Sequence, residues 1–310
     1  MTGVQTCALP ISYIVSGTDS ETHGDTGTWS YTLTVTKGAL TQIPPTGKSV
    51  TVANSGGSFN DQLAVSGSSG AVTYVVPPAT ANAHLKVTPG GVITTVGGPL
   101  SVGTYTVSGT DSDAYGDTGT WSYTLTFTKG ALTQIPPTGK SVSVANSGSA
   151  FNDQLAVSGA NGVVTYVVPA ATANPHLKVT SGGAITTVSG PLPVSTYTVS
   201  GTDSDTHGDT GTWTYTLTVT KEKIICGSNG ENVHKSNSGG NFHDQLNASG
   251  WRGSITFGAT SSNTHLHISS GGVITTVGGP LAPGTYTFSG TDNDNYGDAG
   301  SWSYTLTVSP

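Results

Sequence analysis

Four stretches of the chain each carry three acids within seven residues: DSETHGD at 19 to 25, DSDAYGD at 111 to 117, DSDTHGD at 203 to 209 and DNDNYGD at 292 to 298. They hold 12 of the 17 acidic residues in a sequence of 310 that is only 9% charged. Like charges crowded on a short loop repel unless a cation, a base or water screens them, so the recurrence invites a ligand. Calcium is the natural candidate. It takes about six to eight hard oxygens, and D-x-D-x-x-G-D puts side-chain oxygens on alternate residues with a glycine for the sharp turn. The candidate ligands are Asp111, Asp113 and Asp117, Asp203, Asp205 and Asp209, and Asp292, Asp294 and Asp298. Against that chemistry, the fifth position is His23, Tyr115, His207 or Tyr296, where a calcium loop wants a ligand oxygen, and no glutamate follows to close the cage. Turn capping accounts for the same residues without metal: Asp and Asn bond their own backbone, and glycine supplies positive φ. Both readings stay open on the sequence alone.

The turns recur because the chain repeats. GTD stands at Gly17, Gly109, Gly201 and Gly290, at spacings of 92, 92 and 89 residues. In the second full copy, an ALTQIPP lead at 131 to 137 is followed by SVSVANSGSAFNDQLAVSG, VVTYVV, HLKV, GGAITTV, STYTVSGTD and GTWTYTLTVT. These are about seven short strands broken by Gly, Asn, Asp and Pro, the pattern of a β-sandwich. Trp121, Tyr123, Leu125 and Phe127 alternate with Ser122, Thr124, Thr126 and Thr128, so one face packs and the other meets water. Tyr105, Tyr197 and Tyr286 each open the penultimate strand just after a turn, as the tyrosine corner of immunoglobulin-like sandwiches does. The fold class is therefore all-β, as tandem seven-stranded immunoglobulin-like β-sandwiches, with almost no helix.

LKVTPGGVITT followed by GTYTVSGTDSD is similar to the cadherin-type run in which a G-x-I-x-T strand precedes Y-x-V-x-A-x-D. The unit resembles the bacterial immunoglobulin-like and cadherin-like repeats of large surface proteins of the adhesin type. The resemblance covers residues 37 to 310 as three copies and 12 to 36 as the last two strands of a fourth. It implies a secreted stalk on a bacterial cell surface, with neighbouring repeats as its first partners. No DxNDN linker and no LDRE are present, so the full calcium cage of true cadherins does not carry over; only Asp19, Asp111, Asp203 and Asp292 match the family's acidic position.

The expected divisions are 1–11, 12–36, 37–128, 129–220 and 221–310. Met1 to Ile11 resemble nothing that follows and match, codon for codon, a translated sequencing adapter. They are expected to be an assembly scar on a metagenomic fragment, which removes Cys7 from the cysteine count and any secretion signal from view. Cys226 is then a lone thiol, expected as a small buried hydrophobe. The hairpin at 13 to 36 lacks the sheets that would cover Tyr13, Val15, Trp29, Tyr31, Leu33 and Val35. It is expected to be the least stable part of the molecule or to borrow a partner.

Other chemistry is weaker. The net charge of −7 gives no electrostatic reason to bind nucleic acid, and no apolar run approaches the roughly 20 residues of a membrane span. His84, His176 and His265 each open a strand and read as packing residues; His243, His265 and His267 could take zinc or nickel in the third copy alone. No GxSxG elbow or other nucleophile context occurs, and three near-copies do not make one asymmetric catalytic pocket, so no enzyme activity is expected. Trp251 beside Arg252 gives a second class of function, a module that binds a glycan or a surface protein. Asp61, in FNDQL, is placed to approach Asp203 and Asp205 of the next copy, with Lys129 and Lys221 as alternative linker charges.

Overall fold

The computed structural model describes residues 10–54, 56–146, 150–226, 231–236 (backbone) and 242–310. Met1 to Leu9, with Cys7, lie outside them. Strand β1 (Ile11–Ser20) begins on the last residue of the expected leader and pairs antiparallel with β2 (Thr26–Val35), Ile11 opposite Val35.

The first full copy runs β3 (Thr41–Gln42), β4 (Lys48–Ala53), β5 (Asn60–Gln62), β6 (Val65–Ser66), β7 (Val72–Val75), β8 (Leu85–Val87), β9 (Val92–Thr95), β10 (Gly103–Asp113) and β11 (Thr118–Thr128). One sheet has the order β4-β11-β10-β7 and the other β5-β9-β8, while β3 pairs only with β6. Seven of the nine elements thus make two layers. Strand β4 runs parallel to β11, with Lys48 opposite Tyr123.

The period-two pattern decides the layers. Trp121, Tyr123, Leu125 and Phe127 turn inward and pack with Leu63, Tyr74, Leu85, Ile93 and Leu100 from the facing side. Homologous clusters form around Trp213 and around Trp302. In the third copy Lys223–Cys226 joins the large sheet beside Ala299–Ser309, replacing the short lead strand of the others. No α-helix occurs among the described residues, as the glycine-rich, β-branched composition requires.

By compactness the residues form two units. The first comprises 1–131, 159–163 and 205–210; the second comprises 132–158, 164–204 and 211–310. The division does not follow the repeat period, because the first unit takes in the acidic turn at 205–210.

The hairpin β1–β2 keeps its pairing yet stays open. Tyr31 is 62% exposed where its counterpart Tyr123 is 1% exposed. In dilute solution its amides are expected to exchange faster than those of β10–β11, read by hydrogen exchange with mass spectrometry; equal protection would contradict this.

Candidate functional site

Each acidic turn closes a long hairpin, and in the three full copies its three aspartates do three different jobs. The middle one caps the turn. Asp113 accepts the Tyr115 and Asp117 amides at Oδ1 (2.9 and 3.0 Å) and the Ser69 amide at Oδ2 (2.9 Å). Asp205 takes the amides of His207, Asp209 and Asn161, and Asp294 those of Tyr296, Asp298 and Arg252. The Ser69 amide leads in holding the Asp113 carboxyl below its ordinary value of 3.8. Burial works against the Asp205 carboxyl, yet its amide bonds outweigh that and lower it too.

The last aspartate holds the segment that leads into its own copy. Asp117 Oδ1 accepts the Gly38 amide at 2.6 Å, Asp209 the Gly130 amide at 2.6 Å, and Asp298 the Glu222 amide at 2.7 Å. Asp209 Oδ2 also receives the Asn161 side-chain amide at 3.1 Å. Asp209 and Asp298 are completely buried.

The first aspartate of each full copy is buried with at least one carboxylate oxygen unpartnered. Asp111 and Asp203 are each 2% exposed, and none of their four carboxylate oxygens has a partner of hydrogen-bonding geometry. Burial pushes both carboxyls above the ordinary value, and the nearby amides of their own residue and of Gly119 or Gly211 offset only part of it. Asp292 keeps Oδ1 unpartnered while Oδ2 receives the Cys226 thiol at 3.0 Å. Cys226 is buried, as expected of a small hydrophobe, but it is also a donor.

The signs of these shifts fix a pH optimum. Asp111 and Asp203 have raised folded values, so their contribution is fully present below 3.8 and lost as pH climbs through the raised value. Asp61, Asp113, Asp153 and Asp205 have lowered values, so theirs is present above 3.8 and lost as pH falls through the lowered one. The melting temperature is expected to peak in mild acid, just above pH 3.8. Asp203→Asn is expected to raise the melting temperature at pH 7 more than at pH 4; a larger gain at pH 4 would contradict this account.

The turns also receive a neighbour. Inside the first unit the Val102 amide donates to the His207 carbonyl at 3.0 Å, and inside the second the Val194 amide donates to the Tyr296 carbonyl at 2.7 Å. The valine side chain lies over the following glycine. A Cβ on Gly208 (φ +94°) would come within 3.1 Å of Val102 Cγ2, and one on Gly297 (φ +95°) within 3.0 Å of Val194 Cβ. The third copy has Pro283 at this position, and proline has no amide hydrogen to donate. Val102→Pro is expected to remove about 1 kcal/mol of local protection from residues 205–210, read by hydrogen exchange. An unchanged turn would show that the bond contributes nothing.

The other expected residues fall elsewhere. Asp61 does not serve Asp203 or Asp205: Lys48 Nζ bonds its Oδ1 at 2.6 Å, Tyr123 donates to its Oδ2 at 2.8 Å, and the Gln62 amide adds a third bond. Because β5 belongs to one sheet and β4 and β11 to the other, this cluster ties the two layers. Asp153, Lys140 and Tyr215 repeat it. Among the described residues neither Lys129 nor Lys221 makes an ion pair.

His84, His176 and His265 pack edge-on against Tyr105, Tyr197 and Tyr286 at 5.1 to 5.3 Å, the packing role expected of them. Those tyrosines donate to the carbonyls of Ser101, Pro193 and Ala282, completing the corner. Arg252 is committed to Glu222 at 2.7 Å, whereas Trp251 is 41% exposed. Sequence reasoning missed Gln42 and Gln134, which grip the Ser122 and Thr214 backbone through both ends of the side-chain amide. A lone Gln beside the apolar Ile-Pro-Pro run of LTQIPP was the available signal.

No family model matches the chain, and no curated protein does. Among solved structures it is similar to Drosophila N-cadherin EC1-3, at 12% identity over 85% of this chain and 98% of that one, with a TM-score of 0.39. It is similar to the human desmocollin-1 ectodomain at 12% identity, over 94% and 66% of the two chains, with a TM-score of 0.34. A three-immunoglobulin structure of titin gives 13%, 85%, 97% and 0.35. The fold therefore rests on the strand pairing itself.

Proposed function

We propose that the chain is a run of non-catalytic structural repeats, a spacer in a secreted bacterial surface protein of the adhesin type, with copies at 12–36, 37–128, 129–220 and 221–310. The observation that carries this reading is how the charged residues are spent. In every full copy, the second and third aspartates of the acidic turn hold backbone amides of the turn and of the leading segment. Such a design resists extension, because pulling a copy open requires breaking the clamp and the sheet together.

Single-molecule extension of the whole chain tests it. Three unfolding events are expected, each releasing about 300 Å of contour, since roughly ninety residues extend at about 3.4 Å apiece. A single event, or continuous yielding at low force, would sink the spacer reading.

Calcium at the acidic turns is the reading that the geometry supports less. The unpartnered oxygens of Asp111, Asp203 and Asp292 suit a hard cation in type, but among the described residues no three acidic, histidine or cysteine side chains gather where they could hold one. The donor set fits in kind and falls short in number. Adding millimolar calcium after chelator treatment is expected to leave the melting temperature unchanged; a rise of several degrees would favour the metal.

A glycan- or protein-binding role rests on the exposed indole of Trp251. Arrayed glycans probed with the full chain and with Trp251→Ala separate it from the spacer reading.

A further inference from the structure

Asn161 lies in the bend between Val157–Ser158 and Val164–Val167, and its backbone amide donates to Asp205 as those of Ser69 and Arg252 donate to Asp113 and Asp294. Glycine follows all three, as Gly70, Gly162 and Gly253, but only here does asparagine precede it. The Asn161 side chain is a donor among acceptors. Its Nδ2 donates to Asp209 Oδ2 at 3.1 Å, and lies 3.4 Å from the Asn54 carbonyl oxygen and 3.5 Å from Asn54 Oδ1. Asp209 is completely buried and Asn54 is 4% exposed. All of these residues but Arg252 and Asp294 belong to the first compact unit, apart from the strands that flank the bend. Gly162 itself is exposed, and among the described residues its amide donates no hydrogen bond.

An Asn-Gly pair carries its own electrophile and its own nucleophile. The Gly162 backbone nitrogen, on losing its proton, attacks Asn161 Cγ; the new N–Cγ bond closes a succinimide ring, the Cγ–Nδ2 bond breaks and ammonia leaves. Glycine permits this because no Cβ crowds the attacking nitrogen. Water then opens the ring at either carbonyl, giving aspartate in the ordinary backbone or its isoaspartyl isomer, with nothing oxidised or reduced. Asparagine is thermolabile in proteins. The other such pair, Asn229–Gly230, lies outside the described residues.

We propose that Asn161–Gly162 is a site of spontaneous deamidation, and that its conversion unfastens the acidic turn at 205–210 from the segment at Asn54. The product group accepts where the amide donated. A carboxylate at 161 faces the Asp209 carboxylate across the 3.1 Å that the hydrogen bond spanned, and like charges that close repel strongly where water is excluded. Asn54 can turn its unpartnered Nδ2 towards the new oxygen, but the Asp209 carboxylate has no hydrogen to offer. Asp209 Oδ1 holds the Gly130 amide at 2.6 Å, so any displacement of Asp209 passes to the lead segment that it anchors. The change runs one way and needs only water.

Peptide mapping of the full chain during incubation at pH 8 tests the chemistry, with electron-based fragmentation to tell isoaspartate from aspartate. The expected result is conversion at Asn161 while Asn82, Asn174 and Asn263, which no glycine follows, stay intact. Hydrogen exchange of the aged chain tests the consequence. Gly130 and residues 205–210 are expected to exchange about tenfold faster, as loss of one charge-assisted bond implies, with 294–298 unchanged. Asn161→Asp is expected to reproduce that loosening without ageing, and Asn161→Ser, the residue that the first copy carries, to abolish the reaction. An Asn161 that stays intact through the incubation overturns the proposal, as does an Asn161→Asp chain whose amides at Gly130 and 205–210 exchange at the parent rate.

Discussion

Gly109→Ala is expected to cost the first copy about 3 kcal/mol or more, the upper part of the range for overpacking a close-packed site. The reason is two contacts that leave no room. A Cβ at Gly109 would lie 2.0 Å from the Val75 carbonyl oxygen and 2.7 Å from Trp121 Cζ2. Backbone cannot yield as the tip of a flexible side chain can, because Val75 is fixed by the pairing of β7 with β10. The indole has no better place to go: Trp121 is 3% exposed, donates to the Thr110 carbonyl at 3.0 Å and meets the Tyr74 ring edge-on at 6.2 Å. Hydrogen exchange in denaturant should show β7, β10 and β11 opening together well before the third copy. If those strands keep their protection, the glycine is present for some other reason than the tryptophan.

Asp61→Ala is expected to cost about 2 kcal/mol, as removal of one member from a half-buried, charge-assisted cluster does. The loss comes from what stays behind. The Tyr123 hydroxyl, on a residue 1% exposed, keeps a donor with no acceptor, and the Lys48 ammonium loses its carboxylate. Burial, then the bond to Asp61, push the Tyr123 hydroxyl far above its ordinary range. Burial also works against the Asp61 charge, but the bonds from Lys48, the Gln62 amide and Tyr123 outweigh it and leave the carboxyl lowered. Its stabilisation is therefore present above pH 3.8 and absent in strong acid, so the cost of Asp61→Ala should shrink as pH falls through the lowered value. Urea denaturation at pH 7 and pH 2.5 checks both halves. Tyr123→Phe, which spares the ion pair, should cost about 1 kcal/mol. A pH-independent loss would mean that the carboxylate matters only for its volume.

The layers were legible because each buried face is written in alternation: Trp121, Tyr123, Leu125 and Phe127 point one way wherever they are read. The tyrosine corner was legible because Tyr105 holds a fixed place after a turn. The polar ties were not. Lys48 and Asp61 stand thirteen residues apart, and Tyr123 sixty-two beyond Asp61, so nothing in the local string joins them; the parallel pairing of β4 with β11 sets Lys48 beside Tyr123, and the facing of the two sheets brings Asp61 to both. The acidic turns were located correctly, but the division of labour within them was hidden. Repulsion between like charges is a sound ground for expecting a ligand, and backbone amides are also ligands. Asp113 and Asp117 satisfy themselves on groups that every residue carries and that no composition reveals.

The valine that enters a neighbour's turn and the glycine that admits one belong to the same stretch of ninety residues. Duplicating or deleting a stretch that carries both therefore leaves matched halves of the joint at the new border, with no further substitution required. Pro283, which cannot supply its half, marks a border that such growth would not extend in the same way. An array assembled by this rule can change its reach in evolution by gene recombination alone.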